Sequence, residues 1–126
     1  MSSIFRLNGS YTTTPQTGNP SGQPSVNAHI DEMDGLVRQA ISTIQLTVDT
    51  AVSVDLCGLT QVNVLILKTV GGKVRVDLTS ADGANQSVPV DSFFVLRTQT
   101  VPITAITLTR VAGTLTTVST FLGERG

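Results

Sequence analysis

Charge, aromatic rings, cysteine and histidine are all scarce in this sequence, and each scarcity removes a class of function. Of 126 residues, eight are Lys or Arg and nine are Asp or Glu, a charged share of 13% and a net charge of −1. Soluble domains carry about 25% charged residues, and nucleic-acid or anionic-membrane surfaces need clustered Lys and Arg. Neither nucleic acid nor a membrane is therefore an expected partner. Aromatic residues make up 4%, with no Trp, too few to build a base-stacking platform or an aromatic sugar cleft. Cys57 stands alone, so an intrachain disulfide is impossible, synthesis in a reducing compartment is expected, and the thiol is expected to be buried and inert. No run approaches the ~18 apolar residues of a membrane helix, and the opening MSSIFRLNG lacks the apolar core of a secretory signal. Neither a membrane span nor export by that route is expected.

Catalytic and metal-binding groups are equally thin. His29 is the only histidine. It stands two residues before Asp31 with Asp34 nearby, but a His-x-Asp spacing is unspecific, and a solvated turn before the first strand is the reading adopted. A Cys57 nucleophile would need His29 as its base, a pairing that nothing in the pattern supports. Asp49, Asp55, Asp77, Asp82, Asp91 and Glu124 are scattered over strands and turns rather than set as an acid/base pair. The turn glycines Gly71 and Gly72 have no helix after them to cradle a phosphate. No catalytic, metal-binding or cofactor-binding residue is assigned, and no enzyme activity is expected.

What the chain does contain is Val, Leu, Ile, Ala and Thr. Apolar residues make up 40%, and a chain of this length buries about 65% of its unfolded surface, enough for one core and one domain. The composition changes near residue 30. Residues 8–28 interleave Pro15, Pro20 and Pro24 with Gly9, Gly18 and Gly22 and carry no charge, which predicts a flexible or extended arm rather than a core element. Ahead of it lies a small apolar cluster, Ile4, Phe5 and Leu7. Some twenty arm residues at ~3.3 Å each could carry that cluster roughly 65 Å from the body. The expected division is an N-terminal arm over 1–30 and a β domain over 31–126. Residues 29–40 hold the acidic cluster, and either one helical turn or an extended approach to the first strand fits them.

From about residue 36 the period is two. Ile44, Leu46 and Val48 alternate with polar neighbours, then Val52, Val54 and Leu56, with a break near Thr50. The stretch QVNVLILKTVGGKVRVDLTS predicts a hairpin turning at Gly71 and Gly72, with Leu65, Leu67, Val74, Val76 and Leu78 on the core face. Strand 62–70 is also apolar on its other face, at Val64, Ile66 and Val70, and the arm, another loop of the same chain or a second subunit covers it. Further strands follow at SVPV, DSFFVLRT, PITAITLTR and TLTTVSTFLG, with a turn at Ala112 and Gly113. The expected fold is all-β: an antiparallel β-sandwich or jelly-roll-like barrel of about eight strands with an extended N-terminal arm. Outward positions filled by Thr, Ser and Gln lack the charges that keep monomeric β proteins from pairing edge to edge.

The stretch VPVDSFFVLRTQTVPITAITLTRVAGTLTTVSTFLGE resembles small β-sandwich virion proteins of tailed bacteriophages, among them head decoration or cement proteins and tail or fibre adaptors. The resemblance covers roughly residues 60–123 and lies in the Thr/Val alternation, the short turns, the closing Phe-Leu-Gly-Glu and the arm in front. It implies a structural protein made in the host cytoplasm and incorporated into the virion. Such a protein is present in many copies, often oligomeric, and clamped to the major capsid protein or other virion subunits by arms and sheet edges. Head decoration is the reading placed first; a tail, baseplate or fibre adaptor and a soluble ligand-binding β-sandwich are the alternatives. A homodimer or homotrimer is expected, and the candidate protein-contact residues are Ile4, Phe5, Leu7, Tyr11, Val64, Ile66 and Val70.

Overall fold

The computed structural model describes residues 3–13 and 26–125. Among them the chain forms seven strands and no helix: β1 Ser3–Thr13, β2 Val26–Leu46, β3 Val52–Ser53, β4 Val64–Ser80, β5 Asn85–Val90, β6 Phe93–Arg97 and β7 Ile103–Arg125. Every pairing is antiparallel. The sheet runs β1-β2-β7-β4-β5, with β3 added to β7 and β6 to β4. The architecture is all-β as expected, and its form is one curled sheet, a half-barrel, of seven strands.

The sheet curls because its two central strands bend together. β4 has 17 residues and β7 has 23, several times the usual strand length of about 5–6. The expected hairpin at Gly71 and Gly72 is corrected here: β4 bends but continues through both glycines, and β7 continues through the expected turn at Ala112 and Gly113. Gly72 lies opposite Gly113, and the register shifts between Val70 and Gly72 and again between Lys73 and Val74. Gly71 has φ 93° and Gly113 φ 109°, a region that side chains resist. The backbones also pack too closely for any Cβ: at Gly72 one would strike the Ala112 carbonyl oxygen and Thr116 Oγ1. An irregularity that inserts one residue reverses the phase of the alternation just as a two-residue turn does. The pattern 65, 67 then 74, 76, 78 therefore fits either arrangement, and the long partner strand β7 decides it.

On one side of this corner, residues 64–70 of β4 pair with the end of β7 and with β6; on the other, residues 74–80 pair with the start of β7 and with β5. The concave faces meet in the core. Leu65, Leu67, Val74, Val76 and Leu78, expected together, are all buried, with Val118 and Leu122 from one half and Ile106, Leu108 and Val90 from the other. Leu46, Val54, Leu59 and Val62 close the ends.

One further expectation is corrected. Cys57 is exposed, because the chain leaves the sheet after Ser53 instead of continuing to Leu56. It turns there with Cys57 at φ 53° and the Cys57 N–H donating to Asp55 Oδ1 at 2.9 Å. The polar segment 8–28 is strand at both described ends, with Asn8 opposite Asp31 and Thr13 opposite Val26. A hairpin satisfies the backbone groups of a Thr/Ser/Asn run without needing a core; residues 14–25, which hold the three prolines, lie outside the described residues. Residues 29–40 are extended, all within β2.

Candidate functional site

Among the described residues no cluster of metal-ligating side chains is found, and the candidate site lies on the convex face of the sheet. Register places Ile41 of β2 beside Phe121 of β7, Phe121 beside Ile66 of β4, and Ile66 beside Val95 of β6. These four residues form an apolar row across four strands on the face opposite the core. Lys68 and Phe93 are neighbours in the next row. Ile41 is 74% exposed, Phe93 64% and Val70 60%, an exposed apolar concentration that marks contact surfaces more often than chance.

The β1–β2 ribbon, residues 3–13 paired with 26–36, joins this face at its base. β2 has an irregularity between Leu36 and Arg38 as it passes from β1 to β7. Leu36 is buried there against Gly123, whose missing side chain makes the room: a Cβ would sit 2.8 Å from Leu36 Cδ1 and 3.5 Å from Val64 Cβ. Phe5 stacks on Phe121 with ring centroids 5.4 Å apart and planes at 26°. Between these apolar contacts Asp34, buried, accepts from Arg97 Nε at 2.5 Å and Nη2 at 3.0 Å and from Arg125 Nε at 3.0 Å. Arg125 also donates to the Thr98 carbonyl at 2.7 Å, and Glu32 lies 3.5 Å from Arg97. Hydrogen bonding from Arg97, opposed by burial and reinforced by the charge of Arg125, holds the Asp34 carboxyl below its usual range. The same bond raises Arg97 further.

The expected contact residues therefore separate. Phe5 and Leu7 are partly covered, Ile4 is exposed, and Tyr11 sits in β1 opposite Ala28, its side chain outside the described residues. Val64 is wholly buried by its own chain, Ile66 is partly covered and Val70 is open. Val64 is covered by its own chain, where Leu36 of β2, outside the expected arm, is seated over Gly123; Ile66 and Val70 are not buried in this way. Sequence reasoning missed Asp34, Arg97, Arg125 and Gly123. Phe121 carried a signal, a large ring at an outward position of the Val118, Leu122 alternation; the ion-pair partners carried none, being 63 and 91 positions apart in the chain.

Elsewhere, a cavity of about 360 Å³ is lined by Thr47, Arg110, Gly113, Thr114 and Leu115. Its one charge is committed, since Arg110 Nε donates to Asp49 Oδ1 at 2.8 Å. Among the described residues no three His, Cys, Asp or Glu side chains are grouped to hold a metal ion. Asp34 is engaged by arginines, and His29's side chain lies outside the described residues. No family model, curated protein or solved structure matches the chain.

The Leu36 seat gives a direct test of the latch. Gly123→Ala is expected to push Leu36 out of its place at a cost of about 1–3 kcal/mol, the usual range for overpacking. Backbone amides at 32–36 should then exchange faster while far-UV circular dichroism stays unchanged. Unaltered exchange would show that Leu36 does not hold the ribbon.

Proposed function

We propose that the chain is a non-enzymatic structural subunit of a bacteriophage virion, a decoration protein that grips the capsid shell through its ribbon and convex sheet face. The observation that carries this reading is the pairing of two features on one side of the molecule. Among the described side chains, a two-stranded ribbon is latched near its base, and an apolar row runs beside it from Ile41 to Val95. Charged residues are sparse, which suits a protein crowded among neighbours rather than one that repels them. Among the described residues β2 has no second strand partner before Leu36; that open side of the ribbon supplies a hydrogen-bonding edge and the row supplies apolar area, the two elements of strand-addition recognition. The cavity beside Arg110 favours the soluble ligand-binding alternative less, because its arginine is already paired with Asp49.

Virions purified from the source that encodes the chain are expected to contain it in stoichiometric copy, on the head. Its absence from particles would overturn the proposal; its presence on tails would move it to the adaptor role. On heads stripped of the protein, Ile66→Asp is expected to weaken rebinding by at least tenfold, since an unpaired carboxylate forced into an apolar contact costs several kcal/mol. Deleting residues 1–25 should also abolish most rebinding while the body stays folded, because β2 keeps its pairing with β7 from Arg38 to Leu46.

A further inference from the structure

The outermost strands of the described sheet, β1, β3, β5 and β6, are unequally protected. β3 is two residues long, β6 has five, and β5 has six with Pro89 among them. Short strands and proline are ordinary defences against edge-to-edge pairing. β1 has none of these. It runs eleven residues in unbroken register with β2, from Ser3 opposite Leu36 to Thr13 opposite Val26, with no proline, no lysine and no bulge. Among the described residues no strand pairs with its other side.

We propose that the free edge of β1 pairs antiparallel with β1 of a second copy, joining two sheets into one across a two-fold axis. A strand laid antiparallel against itself is self-complementary, so this edge fits its own copy without any foreign sequence. Charge does not oppose the contact. Arg6 is the only charged residue of β1, and its guanidinium is bound in a fork to Asp31 of the same ribbon, Nε to Oδ1 and Nη2 to Oδ2, both at 3.1 Å. A foreign strand selected by charge would find no free partner here. Ile4 points the same way. It is 75% exposed, and its cross-strand neighbour is Gly35, which has no side chain to offer. Cross-strand side-chain pairs are the unit of sheet stabilisation, and a strand on the open side supplies Ile4 with the neighbour that β2 does not.

The pairing rests on the reading of the chain as an assembly subunit and adds to it a geometry. Two apolar rows, one per copy, become a single bivalent surface, so that each copy's weak grip is multiplied by effective concentration.

The test uses the full chain with Cys57→Ser and one new cysteine at a time: Ile4→Cys, Arg6→Cys, Asn8→Cys and Ser10→Cys on β1, and Ser87→Cys on β5. Mild oxidation is expected to give a disulfide-linked dimer efficiently at one β1 position, the residue nearest the two-fold axis, with yield falling at positions on either side and none from β5. Asn8→Lys, at the midpoint of β1, where pairing along the whole strand sets the two copies' residue 8 side by side and so brings two like charges together, is expected to weaken the dimer by about tenfold or more in sedimentation, with circular dichroism unchanged. A dimer that links only through β5, or that is indifferent to Asn8→Lys, overturns the assignment to β1. A wild-type monomer at tens of micromolar overturns the pairing itself. Head binding is measured separately on the same variants, so its full retention in a monomeric variant overturns the bivalent surface and leaves the decoration reading standing.

Discussion

Gly72→Ala is expected to abolish the fold or to cost about 4 kcal/mol or more, the range reached only by severe steric or burial defects. Gly72 sits where the bends of β4 and β7 cross, opposite Gly113, and its backbone touches the Ala112 carbonyl and Thr116 Oγ1 where a methyl group would have to go. Neither neighbour can yield cheaply. The carbonyl belongs to the paired strand, and Thr116 is fully buried. Gly113→Ala is expected to be as damaging for two reasons: its Cβ would run into the Gly71 carbonyl and Gly72 Cα, and φ 109° is a conformation that alanine resists. Gly83, also at positive φ, has open space around it, so Gly83→Ala carries only the conformational strain, about 1–2 kcal/mol. Urea unfolding of the three variants therefore discriminates. Equal and mild destabilisation would mean that the corner tolerates separation of the strands and that turn chemistry alone explains these glycines.

The same corner shows what the sequence could and could not reveal. Alternation identified the core faces correctly on both sides of Gly71, because burial imposes a period of two wherever a strand has one wet face. It could not distinguish a turn from a bend, since both reverse the phase by one residue. The distinction lies in β7, whose pairing with β4 runs from Val64 opposite Gly123 to Ser80 opposite Ile103, and non-local pairing leaves no local trace. The candidate site was legible in the same uneven way. Ile66 and Val70 announced themselves as outward apolar residues, and Ile4 and Phe5 as an apolar tip without a core. Val64 could not be told from them by pattern, because what covers it, Leu36 seated over Gly123, depends on a glycine 87 positions away. The polar ends of the arm gave no strand signal because a Thr/Ser/Asn run has no hydrophobic alternation, and backbone pairing alone leaves none in the sequence.

Asp34→Asn is expected to free the ribbon and to destabilise the protein by about 2–3 kcal/mol. Breaking a buried ion pair by removing one partner costs about 3–5 kcal/mol, and the lower figure applies because water can partly solvate the stranded arginines, whose side chains are 22% and 25% exposed against 4% for Asp34. Asparagine keeps the shape but loses the charge that two guanidinium groups address. Acid should reproduce the effect in the wild type with a defined sign. The Asp34 carboxyl lies below its ordinary value of 3.8 when folded, chiefly through the hydrogen bond from Arg97. Its contribution is therefore complete at any pH above the unfolded value near 3.9 and disappears only as pH falls through the lowered folded value. The stability gap between wild type and Asp34→Asn should thus be constant from about pH 8 to 5 and close below about 4. Hydrogen exchange adds the local readout: amides at 4–9 and 31–35 should lose protection in Asp34→Asn before those of β4 and β7 do. Pairing Asp34→Leu with Arg97→Met should restore part of the loss, since an apolar replacement of both partners strands fewer charges than the single change. A gap that widens toward acid, or ribbon amides that stay protected in Asp34→Asn, would show that Phe5 on Phe121 and Leu36 on Gly123 hold the ribbon without the carboxylate.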